Sequence, residues 1–190
     1  MRIEQTPQLD FGDVMIRPMR SSLGSRIQVD ITRQFKFPNS NVEWSGVPIV
    51  FANMDKIGTL EMFKETVHFK IVTALHKFYA PDEITSFFKA NYNELFQKVG
   101  EKWPGYVAYS LGMRQQDMEH FDALYSSGFF HWGCDFIVID VPNGYIDSFI
   151  EFCRSIREKL PYHIIMAGNV VTPDITTDLI RRGGECIYFK

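Results

Sequence analysis

With 190 residues, 45% of them hydrophobic, the chain is long enough to bury one sizeable core. Its 23 acidic and 20 basic residues leave a net charge of -3, which excludes the basic footprint of a nucleic-acid or anionic-membrane binder. No apolar run approaches the ~18 residues of a membrane span, and MRIEQTPQLD carries no hydrophobic signal region, so a cytoplasmic protein is expected.

The chain reads as a single domain in two stretches. Residues 1–45, with LDFGDVMIRP and the Arg/Ser-rich MRSSLGSR, read as an extended lead-in; residues 46–190 read as repeated βα units. VPIVF (47–51) is the first strand, followed by a helix that Thr59 caps and that places Leu60, Phe63 and Val67 on one face. KIVTAL (70–75) is the second strand. Pro81 suits a first helical position, with Ile84, Phe87 and Phe88 behind it. YVAYSL (106–111) and FIVID (136–140) are the next strands, and Ile146, Phe149, Ile150, Cys153 and Ile156 form the clearest amphipathic stripe. HIIMA (163–167), a helix opened by Thr172-Pro173 and closed by Gly183-Gly184, and CIYF (186–189) complete the series. Continuous apolar strands rather than alternating ones indicate a parallel sheet covered on both faces.

Two α/β architectures compete. A doubly wound nucleotide fold would place a glycine-rich phosphate turn after its first strand, and none is present. In a TIM (β/α)8 barrel, functional polar groups gather where strands end. Asn53 and Asp55, His76 and Lys77, Asp140 and Asn143, and Asn169 all sit at such ends. The barrel is the better reading, and an incomplete one, with about the first five to six βα units of a fold that typically needs roughly 250 residues.

Each candidate residue carries a bland alternative. Lys77 at a strand's inner end suits an anionic or carbonyl group, or is a solvated loop lysine. His76 reads as a packing or hydrogen-bonding residue rather than a catalyst. Asp140 closes a buried strand and so must be paired or ligand-facing; it suits a ribose diol, or caps the next helix. Asn53 and Met54 suit a purine, yet Asn-x-Asp-x-x-Gly-Thr also describes an ordinary loop before a helix. Asn169, after a small Ala-Gly pair, approaches a ligand or caps its loop. Cys134, Cys153 and Cys186 are widely spaced, which argues against a disulfide framework or zinc site, and each reads as a buried structural thiol.

Taken together, LDFGDVMIRPMRSSLGSR, WSGVPIVFANMDKIGT, TALHKFYA, IDVPNGY and IIMAGNVVTPDITTDLI resemble, in order and spacing, the IMP dehydrogenase/GMP reductase family. The short interval between the second and third strands, with DVPNGY and AGNVVT, resembles the reductase branch. The resemblance implies an oxidoreductase of purine metabolism, a tetramer in the family, that uses NADPH to convert GMP to IMP and ammonia. A cysteine thiolate attacks the purine C2, and hydride from the nicotinamide resolves the adduct. It further implies that Ser25, Arg26, Lys77, Asp140, Val141 and Pro142 face the cofactor, and that Asn53, Met54 and Asn169 line the nucleotide pocket. The family's catalytic Cys-Thr loop, its monovalent-cation ligands and its acid/base glutamate would fall beyond Lys190. No catalytic residue is therefore expected within the chain, which alone would be inactive. SLGMRQQD departs from the small, hydroxyl-rich stretch that follows the third strand in the family.

Two functions follow as expectations. One is a reductase completed by a further segment, another copy or a second chain. The alternative is a non-catalytic nucleotide-binding or interaction protein that joins full-length subunits. A six-stranded parallel arc also leaves strand edges that favour homo-oligomers or a completing partner.

Overall fold

A computed structural model describes residue 9, residues 11–184 and residues 186 and 187. By its contacts the chain divides into two units, Met1–Ile31 and Thr32–Lys190. In the leading unit the described backbone forms two short 3-10 turns, Phe11–Asp13 and Arg26–Gln28. Ser25 caps the second: its Oγ accepts from Ile27 N at 3.3 Å, while Gln28 Oε1 reaches back to Ser25 N at 3.3 Å.

The second unit opens with a hairpin, β1 (Arg33–Phe37) antiparallel to β2 (Val42–Phe51). From β2 onward every pairing is parallel, through β3 (Ile71–Leu75), β4 (Val107–Leu111), β5 (Phe136–Asp140), β6 (Ile164–Gly168) and β7 (Cys186–Ile187). Strand order follows chain order throughout, the progression of a (β/α)8 barrel rather than of a doubly wound sheet. Tyr188 and Phe189 of the last expected strand lie outside the described residues.

The hairpin corrects the reading of residues 1–45 as one extended lead-in. Pro38-Asn39-Ser40-Asn41 is a turn between QFKF and VEW, and Asn41 takes the left-handed backbone, φ 57°, that asparagine tolerates. β2 therefore starts at Val42, five residues before the apolar run that announces it. Its register shifts between Val47 and Val50, where Pro48 has no N–H to give the ladder.

The helices are α1 (Leu60–Thr66), α2 (Pro81–Val99), α3 (Gln115–Ser126), α4 (Phe129–Trp132), α5 (Asp147–Lys159) and α6 (Pro173–Arg181). Thr59 Oγ1 caps α1 by accepting from Met62 N at 3.0 Å, and Pro81 begins α2. Gly183, at φ 107°, ends the turn after α6. The sequence reading proposed nothing for α3 and α4. QQDMEHFDALYS is mostly polar and FFHW is a single short turn; Phe121, Leu124, Phe129 and Phe130 are buried in the core, with Met118 and Trp132 packed against it. The helices pack on the strands, α1 on β3, α3 on β4, α5 on β6 and α6 on β7.

β4 is buried along its whole length, as are the first four residues of β5. Beside them Phe88 of α2 sits in an aromatic cluster with ring centroids 5.3 Å from Phe63, 5.2 Å from Trp103 and 5.4 Å from Phe129. A buried pair of hydroxyls, Thr66 and Thr73 at 2.8 Å, ties α1 to β3. Gly58 lets the loop after β2 close on β3, because a Cβ there would fall 2.0 Å from Ala74 O. Phe88 is fully buried and central to this cluster. Phe88→Ala should therefore cost about 3–5 kcal/mol, read as a fall in the urea midpoint; a loss below about 1 kcal/mol would contradict the packing.

Candidate functional site

Parallel pairing sends the C-terminal ends of β2 to β6 to one rim. Asn53 follows β2 on a tight loop in which Ile57 N and Gly58 N both donate to Met54 O, at 2.9 and 2.8 Å. The Met54 side chain is about half exposed on this loop. Asn53 is half-buried and donates through Nδ2 to Asp140 Oδ2 at 2.9 Å, joining two residues 87 positions apart. The strand-closing carboxylate is thus partnered across the sheet rather than used as a local helix cap.

At the end of β3, Phe78 N donates to His76 Nδ1 at 3.3 Å, and the imidazole stacks on Tyr79 with centroids 4.1 Å apart. Burial lowers the His76 pKa, only partly offset by Asp55, so the ring is a neutral packing and hydrogen-bonding group at pH 7. Lys77 is half-buried. Its ammonium faces the turn after β4: a Cβ on Gly112 would stand 3.5 Å from Lys77 Nζ and 2.6 Å from Asp117 Oδ2. A side chain there would crowd the Asp117 carboxylate.

Asp117, at the start of α3, is buried. Arg114 grips it through Nε to Oδ2 at 3.1 Å and Nη2 to Oδ1 at 3.0 Å, with the Arg114 N–H adding a third bond at 3.2 Å. Burial by itself pushes the Asp117 pKa up. The Arg114 bonds, with the charges of Lys77 and Arg114, outweigh it and hold the carboxyl below its usual range. Sequence reasoning noted SLGMRQQD only as a departure; the signal for its role was an Arg-x-x-Asp spacing at a helix start, which allows the side chain to close on the backbone N–H. Ser110, whose buried Oγ has no partner among the described residues, was also missed, since a serine within an apolar strand carries no motif.

After β5, Val141 is buried in the core, and its carbonyl accepts both Asn169 N at 3.1 Å and Asn169 Nδ2 at 3.0 Å. Val141 N donates to Gly168 O at 2.9 Å, and Gly144 N to Asn169 O at 3.0 Å. The loops after β5 and β6 are therefore one bonded unit. Within it Asn169 Oδ1 is buried with no donor among the described residues, an unmet acceptor that costs free energy unless a ligand or water satisfies it. Pro142 and Tyr145 are exposed, and Tyr145 Oη accepts from Val171 N at 2.8 Å and Thr172 N at 3.0 Å, bracing the start of α6.

The structure thus joins Asn53 with Asp140, joins Asn169 with Val141, and sets Lys77 beside Asp117. Ser25 and Arg26 belong to the leading unit. Cys134 and Cys153 are buried and their pKa values are pushed up by burial, the latter to about 12, so neither supplies a thiolate. Among the described residues no group of three or more side chains could hold a metal, and no helix is long and apolar enough to cross a membrane. The rim can bind a polar ligand through an ammonium, amides and carboxylates; it holds no activated nucleophile among its described side chains.

Residues 8–189 match the family described as the IMP dehydrogenase / GMP reductase domain. The chain is similar to a GMP reductase of Phytophthora infestans, 41% identical over 186 residues that cover 98% of this chain and 48% of that protein. It is equally similar to GMP reductase 1 of Homo sapiens, at 41% identity over 98% of this chain and 50% of that protein. Among solved structures it resembles the inosine 5'-monophosphate dehydrogenase of Legionella pneumophila, with TM-score 0.71 and 27% identity over 93% of this chain and 49% of that one. The chain spans about half the length of the curated relatives it matches.

Because the Asp117 pKa is lowered on folding, its contribution to stability is present above the usual aspartate range and lost as pH falls through the lowered value. The urea midpoint should fall as the solution is acidified below that range. Asp117→Asn should be less stable at neutral pH and should show a flatter acid limb; an acid limb identical to the parent's would exclude this role.

Proposed function

We infer the function from one established fact: this chain belongs to the IMP dehydrogenase/GMP reductase family. We propose that it forms the nucleotide- and cofactor-facing half of a cytoplasmic GMP reductase, an oxidoreductase that converts GMP to IMP and ammonia with NADPH. The observation that carries this reading is the Asn53–Asp140 hydrogen bond, which draws the ends of β2 and β5 together at the rim where barrel enzymes bind.

The groups at that rim fit a nicotinamide nucleotide. Lys77 offers an ammonium to its anionic portion, and Asp140 offers a carboxylate to a ribose diol. Val141 and Pro142 lie on the loop beside them, the former through its backbone because its side chain is in the core. Ser25 and Arg26 are assigned to the cofactor by family resemblance alone. When bound, the cofactor supplies hydride.

Asn53, Met54 and Asn169 are assigned to the purine nucleotide. Asn169 has the strongest individual support, because its buried Oδ1 lacks a donor and a purine N–H would meet that need. Asp117 positions Lys77: its carboxylate lies on the same side of Gly112 as the ammonium, and the two opposite charges attract. The thiolate chemistry of the family is assigned to a segment outside these 190 residues, contributed within a longer chain, by another copy or by a second polypeptide, in a homo-oligomeric assembly.

Supplying the C-terminal half of human GMP reductase 1 as a separate polypeptide should produce NADPH oxidation that depends on GMP. In that assembly Lys77→Ala should raise the KM for NADPH about tenfold, the value of one hydrogen bond to a charged group, with a smaller effect on the KM for GMP. GMP binding by calorimetry without turnover would move the assignment to a non-catalytic nucleotide-binding role. Absence of both binding and turnover would overturn the proposal.

A further inference from the structure

At the opposite, N-terminal ends of the strands, a cavity of about 500 Å³ opens between the hairpin and the segments leading into β4 and β5. Phe35, Trp44 and Tyr106 give it aromatic walls, and Asp135 lines it from the residue before β5. Asp135 is fixed by its backbone: its N–H donates to Pro104 O at 3.0 Å, and its carbonyl accepts from Ile164 N at 2.9 Å. Gly105 leaves space beside the carboxylate, because a Cβ there would stand 3.3 Å from Asp135 Oδ2 and 3.4 Å from Trp44 Cδ1.

The donors of this wall are already spent on backbone. Trp44 Nε1 donates to Gly105 O at 2.6 Å, and Tyr106 Oη to Ser45 O at 2.9 Å. Lys36 and Lys102 line the cavity too, yet among the described residues no ammonium or other donor engages the Asp135 carboxylate, whose pKa burial raises to about 6 with nothing to offset it. With Glu43 and Glu101 the lining holds three carboxylates against two ammoniums. An anion is therefore disfavoured, and a cation with paired N–H donors would satisfy the enclosed Asp135 carboxylate. Phe35 lines the same space and is 43% exposed, which leaves its aromatic ring accessible to a cation.

We propose that this cavity is a second binding site, for a small planar ligand bearing a protonated amidine or guanidine group, with its N–H pair on Asp135 and its flat face against Phe35. The site lies at the strand ends remote from the rim and is independent of the assignment made there. Benzamidine is a suitable probe and benzamide its uncharged counterpart, both titrated by calorimetry into the full chain. Benzamidine should bind at least about tenfold tighter than benzamide, as expected for a hydrogen bond between charged groups. Asp135→Asn should abolish that preference. Phe35→Leu, which removes the ring from an exposed strand without touching the carboxylate, should weaken benzamidine several-fold. Equal binding of the two probes, or benzamidine affinity unchanged in Phe35→Leu and in an Asp135→Asn protein that melts cooperatively, would overturn the proposal.

Discussion

The parallel ladder from β2 to β6 is the constraint on which the rest depends. Hydrogen bonding between strands that run the same way, in chain order, leaves no freedom about where their C-terminal residues go. Apolar side chains occupy most of β3 to β6, and the polar groups come just after the apolar stretch ends. Asn53, Lys77, Asp140 and Asn169 share a rim because the pleat and the register deliver them there. The Asn53–Asp140 bond is a consequence of that register, and it also costs less than two separately desolvated polar groups would.

The rim is organised by backbone as much as by side chains. Val141 accepts from Asn169 and donates to Gly168, so the loops after β5 and β6 are bonded into one piece. Gly112 and Gly58 lack a Cβ where one would crowd a neighbour, the Asp117 carboxylate in the first case and the Ala74 carbonyl in the second. The Arg114–Asp117–Lys77 group shows how a buried carboxylate is tolerated. Its desolvation is offset by three hydrogen bonds from Arg114 and by two flanking positive charges. At the other end of the strands Asp135 is given no such compensation. That contrast between a buried, fully partnered carboxylate and a half-enclosed one separates a structural acid from one with unused binding capacity.

The hairpin shapes the lower end of the sheet. Trp44 meets Phe35, Tyr106 and Phe136 with ring centroids about 6 Å apart, and its indole N–H locks onto Gly105. β1 is mostly exposed, so its stability comes from pairing with β2 and from these rings rather than from burial of its own residues. Asn39 in the hairpin turn also donates to Ile180 O at 3.0 Å and Gly184 O at 2.9 Å, joining residues more than 140 positions apart.

The sequence by itself determined the parallel α/β class, the places of the apolar strands, the cap at Thr59, the helix start at Pro81, and the family. These are local or cumulative signals: a buried parallel strand needs an unbroken apolar run, and a cap needs its own residue. Residues 33–46 and 115–132 were not legible because their partners are remote. RQFKF looks polar until Trp44 and the turn at Pro38–Asn41 pair it with β2, and α3 shows few apolar residues to announce a helix. Only the tertiary structure decided that Asp140 meets Asn53, that Asp117 stands beside Lys77, and that Val141 turns inward to the core. Hydrogen bonds and ion pairs across dozens of residues depend on register and burial, which composition and spacing do not encode.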